Sequence, residues 1–448
     1  MTKRATFATR LGVIAATAGS SVGLGNIWRF PYETGQNGGA AFLLVYCICV
    51  IVLGLPVMLA EFTIGRSAKA NATRTFMKLS PGSYWFIVGF LGIFAAVFIM
   101  GFYSVIAGWT LEYVWQSISF GLTGKDPAFF QSAFVEFTSS SFRPIFWTAL
   151  FLLINYIILS RGVHNGIEKA SNILMPLLFV LLIIFGIRSL FLSGTAEGLS
   201  FMFHPDFSKI DSGVVLRAMG QAFFSLSLGM GTLITYSSYF SENTSLPKTA
   251  VTVASLDTVV AVLAGIVIFP AVFSFGISPS QGPELIFITL PNVFQHMPGA
   301  YFWSILFFIL ITVAALTSTI SLCEVAIAFL CEEFGFIRSR ATQLLVFICF
   351  VMSILCSLSF GALSDVKIFG FTIFDFCDFL ASNILLPLGG MLISIYVGWK
   401  LDRKFVRNEL NNHGKINDWY FPALMICLKY IAPVAIFIIF LSGLGLFK

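Results

Sequence analysis

Apolar residues run through this chain in long blocks, separated by short polar connections. Scanning for such blocks gives eleven, at about 10–34, 40–64, 85–115, 144–160, 170–192, 213–240, 248–277, 300–331, 342–363, 368–398 and 419–446. A helix crossing the ~30 Å hydrocarbon layer needs about 20 largely apolar residues. The fourth block is short and the eighth and tenth are long, but each is read as one span. The runs are too long and too continuous for the alternating pattern of a membrane barrel, so helices are the spanning element. The expectation is an all-α polytopic membrane protein with about 11 transmembrane helices. It is expected to form one domain over 1–448 with no extramembrane domain, low-complexity tail or heptad repeat.

Composition strengthens that reading. Hydrophobic residues make up 58% of the 448 and charged ones only 10%, against roughly 25% charged in an ordinary soluble domain. A mean hydropathy of +0.92 needs lipid as solvent. The net charge of +5 is too modest for a nucleic-acid partner, and its meaning lies in its distribution. With the N-terminus on the cytoplasmic side, the inner connections carry 17 of the 26 Lys and Arg. The positive-inside rule then gives N-in, C-out, in the cell's inner (plasma) membrane. The start of the chain lacks a small-residue cleavage site, so the first block is expected to be retained. Eight Cys fall mostly inside apolar runs without metal or redox spacing, and the four His lie in connections. The longer outer connections, 116–143, 193–212 and 278–299, are candidates for lids.

Two blocks are interrupted. The first contains Gly19-Ser20-Ser21-Val22-Gly23-Leu24-Gly25-Asn26, and the sixth contains Phe224-Ser225-Leu226-Ser227-Leu228-Gly229-Met230-Gly231. Each interior Gly costs up to ~1 kcal/mol of helix propensity. A single Gly-rich span is explained well enough by close helix packing. Two matching interruptions five spans apart favour discontinuous helices, whose freed N–H and C=O groups bind an anionic group and a cation. Charged groups beside them sharpen the case. Arg29, Asp257, Asp378, Glu324 and Glu332 lie in apolar blocks, where a charge is expensive and is usually paired or facing water. Thr317-Ser318-Thr319 offers adjacent hydroxyls, which either bond back to the preceding turn or act as hard ligands for a small cation.

Taken together these residues resemble the neurotransmitter:sodium symporters, in their bacterial amino-acid-transporting branch. The most specific stretch is Gly23-Leu-Gly-Asn-Ile-Trp-Arg-Phe-Pro-Tyr32 with Asn37-Gly-Gly. Gly220 to Gly229, Leu316 to Thr319, and Tyr103 with Gly108-Trp-Thr-Leu111 support it, and the resemblance covers essentially the whole chain. It implies a 5+5 inverted repeat with helices 1 and 6 discontinuous. Repeat one would cover about 8–192, repeat two about 213–398, and an extra helix about 419–446. This geometry belongs to the family.

The resemblance also implies a site. One sodium ion would sit among the Ser21 carbonyl, Asn26, Ser225, Asp257 and the substrate carboxylate. A second would sit among the carbonyls of Gly19, Val22 and Ala314 and the hydroxyls of Thr317 and Ser318. The carboxylate would take N–H groups near Leu24 and Gly25 and the Tyr103 hydroxyl. The substrate side chain would face Ile99, Phe224, Ser227, Met230, Ser318 and Leu322. Arg29 and Asp378 match an outer gate, and Arg4, Ser238, Tyr239, Glu324 and Glu332 an inner one. Gly166 and Pro176 resemble the family's point of helix-5 unwinding.

Three positions refine the expectation. Monoamine carriers have Asp where this chain has Gly23, which favours a substrate bringing its own carboxylate. Asp257 stands where many members have Asn, and Ala261 where chloride-dependent members have Ser, so chloride independence is expected. The function expected is sodium-coupled import of a neutral, hydrophobic or aromatic amino acid, with two sodium ions, surrounding membrane lipid and no organic cofactor. A carrier of small neutral amino acids, or a non-transporting sensor or channel on the same scaffold, is the alternative. No Ser/His, metal or paired-Asp constellation suggests an enzyme.

Overall fold

The computed structural model describes residues 5–122, 124–276, 285–295 and 299–446. Each of the eleven apolar blocks corresponds to helix. Among the described residues nine are long and apolar enough to cross a membrane: Ala40–Ala68, Phe86–Ile118, Arg143–Ser160, Val163–Ser189, Leu246–Ser274, Ala300–Glu333, Arg338–Leu358, Ile373–Lys400 and Phe421–Gly443. A tenth is the bent pair Arg10–Ser21 and Gly25–Gln36, whose halves meet at 52°. The remaining block, the sixth span, is Ser212–Ser225 followed by Thr232–Ser237, each too short to cross alone. Both interruptions therefore fall in the spans the Gly-rich stretches indicated.

The eighth span, Ala300–Glu333, is the centre of the bundle, with 78% of its apolar window inside the protein against 28% for the eleventh, Phe421–Gly443. It packs on the third, fifth and first spans, while both halves of the sixth pack on the second, Ala40–Ala68. Close packing of this kind needs small residues. A Cβ on Gly65 would stand 2.2 Å from the Ile234 carbonyl oxygen, and one on Gly108 2.7 Å from the Thr148 nitrogen. Large apolar side chains such as Ile51, Val180 and Phe347 point outward, which suits hydrocarbon and would be a liability in water.

The connections hold more structure than hydropathy reveals. Helices Ala72–Leu79, Pro127–Ser139, Thr195–Phe203 and Arg403–Leu410 lie between spans. A further helical segment covers 285–295, within the third outer connection. There Phe287 packs edge-on to Trp109 at 5.7 Å and parallel to Phe134 at the same centroid distance. These amphipathic or short helices are missed by a scan tuned to 20-residue apolar runs.

Candidate functional site

The first helix stops where its sequence weakens the ladder. Val22 leaves helical geometry at φ −76° and ψ 109°, and helix resumes at Gly25. The sixth opens more widely: Ser227, Gly229 and Gly231 all have positive φ, at 54°, 77° and 74°. Two of the three are Gly, which adopts that region without steric cost. At Gly229 there is also no room for a side chain, since a Cβ would approach the Leu386 carbonyl oxygen to 2.5 Å. The two breaks touch. The Ser227 hydroxyl donates to the Ser20 carbonyl at 2.8 Å, and the Gly229 N–H donates to buried Glu61 at 2.8 Å.

Beside the first break lies a dense polar cluster. The Asn26 amide nitrogen donates to Ser225 Oγ at 3.0 Å and to Asp257 Oδ1 at 2.7 Å. Ser225 Oγ donates to both Asp257 oxygens, at 3.0 and 2.9 Å. The Tyr46 hydroxyl donates to Asp257 Oδ2 at 3.0 Å. All four side chains are buried, Asn26 and Asp257 completely. Ser21 is buried next to them, and its hydroxyl has no protein partner.

A second oxygen cluster lies where the first break meets the eighth span. Thr317 Oγ1 is 3.3 Å from the Val22 carbonyl and 2.9 Å from that of Ala314, and Ser318 Oγ is 3.4 Å from Val22. Gly19 lies against it, with a would-be Cβ 3.3 Å from Thr317 Cβ. The first cluster offers uncharged oxygens and the Asp257 carboxylate, and the second only hydroxyls and carbonyls. That donor chemistry fits a hard, weakly charged cation and not a soft metal. Among the described residues no three His, Cys, Asp or Glu gather as a metal site.

Between the breaks is a small cavity of about 30 Å³. Its walls include Ser21, Gly25, Ile99, Tyr103, Phe224, Ser225, Ser227, Met230, Ser318 and Leu322, together with Ser20 and Gly23. Leu24 contributes backbone: its N–H donates to the Tyr103 hydroxyl at 3.1 Å. Space at Gly23 is tight, since a Cβ there would lie 2.2 Å from Ser318 Oγ, the end of a rotatable side chain, and 3.1 Å from the Tyr103 hydroxyl. One face thus offers hydroxyls and the N–H groups of Gly23 and Leu24, which donate to Asn26 Oδ1 and the Tyr103 hydroxyl, and another is aliphatic, from Ile99, Met230 and Leu322.

On one side of the cavity the Arg29 guanidinium lies 4.5 Å from the Phe224 ring centroid. Asp378 accepts from the Ser382 hydroxyl at 2.8 Å. Arg29 and Asp378 make no direct ion pair within 4 Å; each is held instead by its own neighbour. On the other side the Tyr239 hydroxyl donates to Glu324 at 2.6 Å. Glu332 accepts from the Asn71 N–H at 2.9 Å, and Ser238 bonds the Thr235 carbonyl. Arg4 lies outside the described residues. Gly166 sits in a π-turn, Val163–Glu168, packed so closely that a Cβ would meet the Ile158 carbonyl at 2.1 Å. Pro176 is inside the helix that follows.

Five participants escaped the sequence reading. Tyr46 carries no sequence signal beyond being a polar group in an apolar run, while Gln221 lies within the Gly220 to Gly229 motif without an assigned role and reaches the Gly25 carbonyl at 3.3 Å. Glu61 could have been found, as a carboxylate in the second apolar run. Arg338 was counted only as a basic connection residue, yet it grips fully buried Glu324 through two contacts, at 2.9 and 2.5 Å. Glu168 accepts from the N–H groups of Ala8 and Thr9, both at 3.0 Å, and so anchors the start of the first span.

Crossed apolar spans around two broken helices, with cation-type oxygen clusters beside a cavity between the breaks, define a membrane transporter built for a small solute and ions. Comparison with known proteins makes the class specific. A profile described as the Sodium:neurotransmitter symporter family matches residues 4–131 and 128–448. The chain is 38% identical over 440 residues to an uncharacterised sodium-dependent transporter of Bacillus subtilis, covering 98% of each. It is 40% identical over 456 residues to one of Haemophilus influenzae, covering 99% of this chain and 98% of that one. It also resembles the crystal structure of MhsT in complex with L-phenylalanine, at TM-score 0.91 and 48% identity, over 98% of this chain and 100% of that one. The chain belongs to the sodium:neurotransmitter symporter family, and it is a sodium-coupled, multi-pass transporter.

Proposed function

We propose that this transporter imports a neutral amino acid with a hydrophobic or aromatic side chain, together with two sodium ions and without chloride. The observation that carries the reading is the arrangement around Gly23: the N–H groups of the helix break, outside the helical ladder and bonded to side chains, with the Tyr103 hydroxyl on one side, and the Asn26–Ser225–Asp257 cluster on the other. A carboxylate placed there would accept from the first set and ligate a cation held by the second. Each ligand then improves the other's affinity, and linkage makes the effect reciprocal. The aliphatic wall of Ile99, Met230 and Leu322 favours an apolar side chain, and adaptable Met230 suits more than one shape. The L-phenylalanine bound by MhsT agrees with this choice.

The second ion would take Thr317, Ser318 and the carbonyls of Gly19, Val22 and Ala314. In the proposed architecture, repeat one (about 8–192) and repeat two (about 213–398) rock about this site, with the N-terminus cytoplasmic. Arg29 and Asp378 would close the outer path. Arg4, Ser238, Tyr239, Glu324 and Glu332 would close the inner one. Uptake of radiolabelled phenylalanine and leucine into proteoliposomes tests the reading directly. Accumulation is expected with an inward sodium gradient and is expected to vanish with potassium in its place; equal uptake in both would overturn it.

Two further outcomes follow from named groups. The Asp257 carboxylate supplies a fixed negative charge hydrogen-bonded by Tyr46 and Ser225, and Ala261 offers no hydroxyl. Replacing chloride with gluconate should therefore leave the uptake rate unchanged within about twofold, since the charge is already built in. Pro176 has no N–H to donate, which costs the helix ~3 kcal/mol. Pro176→Ala should stiffen the fifth span and slow inward sodium release roughly tenfold, read by stopped-flow release from preloaded protein. Unchanged release would remove Gly166 and Pro176 from the opening step.

A further inference from the structure

Several cavities lie away from the central site, and two of them share the seventh span. One, of about 400 Å³, lies between the start of the first span and the start of the seventh. Its rim carries Arg10 and Lys248, both exposed, and its floor carries the hydroxyls of Ser245, Thr249 and Thr252. Neither Arg10 nor Lys248 forms an ion pair within 4 Å among the described residues. This contrasts with Arg66, Arg74 and Arg338 at the same end, each of which grips a glutamate. Ser245 Oγ is buried without a partner. It stands at the N-terminus of the 29-residue helix Leu246–Ser274, whose first turn has no side-chain cap. Two unpaired cations, a helix N-terminus and an unsatisfied hydroxyl all favour an anion.

The second cavity, about 560 Å³, is a groove on the lipid-facing side between the second and seventh spans. Its walls are aliphatic, including Ile51, Leu55, Val259 and Leu263. The two cavities are lined by adjacent positions on the seventh span. Lys248 and Thr252 of the first lead by steps of three and four residues to Ser255 and Val259 of the second, and such steps are neighbours on a helix surface. From Val251 to Leu263 the groove runs roughly 18 Å along the axis at 1.5 Å per residue, a length suited to an acyl chain.

We propose that this composite site holds one anionic phospholipid from the leaflet at the basic end of the bundle. The phosphate lies between Arg10 and Lys248, and one acyl chain fills the groove between the second and seventh spans. Charge complementarity selects the headgroup, since basic residues near a membrane surface attract anionic lipid. The hydrocarbon environment of the groove selects a lipid over a soluble phosphate. Because Arg10 belongs to the half-helix Arg10–Ser21 and Lys248 to the seventh span, the bound headgroup cross-links them. It thereby favours the arrangement in which that half-helix is docked. The site stands apart from the choice of transported solute.

Native mass spectrometry of the purified full chain tests this after incubation with phosphatidylglycerol, phosphatidylcholine or inorganic phosphate. One phosphatidylglycerol per chain is expected to be retained, with phosphatidylcholine retained at least tenfold less and phosphate alone not retained. Lys248→Gln should lower phosphatidylglycerol retention about fivefold and Arg10→Gln with Lys248→Gln roughly 25-fold. Val259→Trp should lower it by filling the groove with both charges intact. Size exclusion and circular dichroism establish that each variant is folded, and if the double variant fails, Lys248→Gln alone decides. Equal retention of both lipids, retention of phosphate by itself, or undiminished binding in a folded charge variant overturns the proposal. Undiminished binding in Val259→Trp overturns its acyl half.

Discussion

Gly23→Asp should abolish binding of amino acids while sparing that of the corresponding amines without a carboxylate. The reason is electrostatic before it is steric. Two like charges about 4 Å apart repel by ~4 kcal/mol at an effective dielectric of 20, roughly a thousandfold in affinity. A new carboxylate at position 23 would stand where the solute's own is proposed to lie. Sterics add to this, because even a Cβ lies 2.2 Å from Ser318 Oγ. Gly23→Ala separates the two effects: the Ser318 hydroxyl is the end of a small rotatable side chain, so a loss of only about tenfold is expected. Sodium-dependent binding of phenylalanine and phenethylamine to wild type and both variants is the measurement. Retained phenylalanine binding in Gly23→Asp would remove the carboxylate from this position.

The second large effect is expected at Asp257. Asp257→Asn keeps the shape of the side chain and removes the only negative charge in the Asn26–Ser225–Tyr46 cluster. Attraction of ~4 kcal/mol to a nearby sodium ion is withdrawn, partly offset because a neutral amide is easier to bury. The net should be a roughly 100-fold weaker apparent sodium affinity, whatever anion is present. Adding Ala261→Ser restores a hydroxyl where chloride-dependent members of the family carry one. The double variant should then recover uptake in chloride and lose it in gluconate. If Asp257→Asn alone transports normally in gluconate, the built-in charge is not what replaces chloride.

Much of this was legible because membrane insertion constrains sequence locally. An apolar block of about 20 residues has few alternatives to a spanning helix, and the eleven blocks match helices to within several residues. The two broken helices were also visible, because Gly and Ser cluster at them in the chain itself. The short connection helices were not, since their amphipathic pattern is weaker than the apolar runs beside them. The site was readable mainly through family resemblance. Ten of the eleven residues expected around the solute do line one cavity, and Leu24 reaches it through Tyr103. What resemblance did not supply were partners such as Tyr46, Glu61 and Arg338, whose roles depend on which spans are neighbours.

By itself the sequence determined the solvent, the helical class and the places where two helices break, since each rests on residues near one another in the chain. Only the tertiary structure decided which break faces which and which oxygens converge. Ser20 and Ser227 are 207 residues apart in the chain yet hydrogen-bonded, and Val22 and Thr317 are separated by 295. It also separated paired from unpaired charges. Arg338 and Lys248 look alike as basic residues at helix ends, but burial against Glu324 holds one while the other stands open at a cavity rim. Packing between distant segments sets burial and distance, and those two quantities turn a polar residue into a ligand, a latch or a free charge.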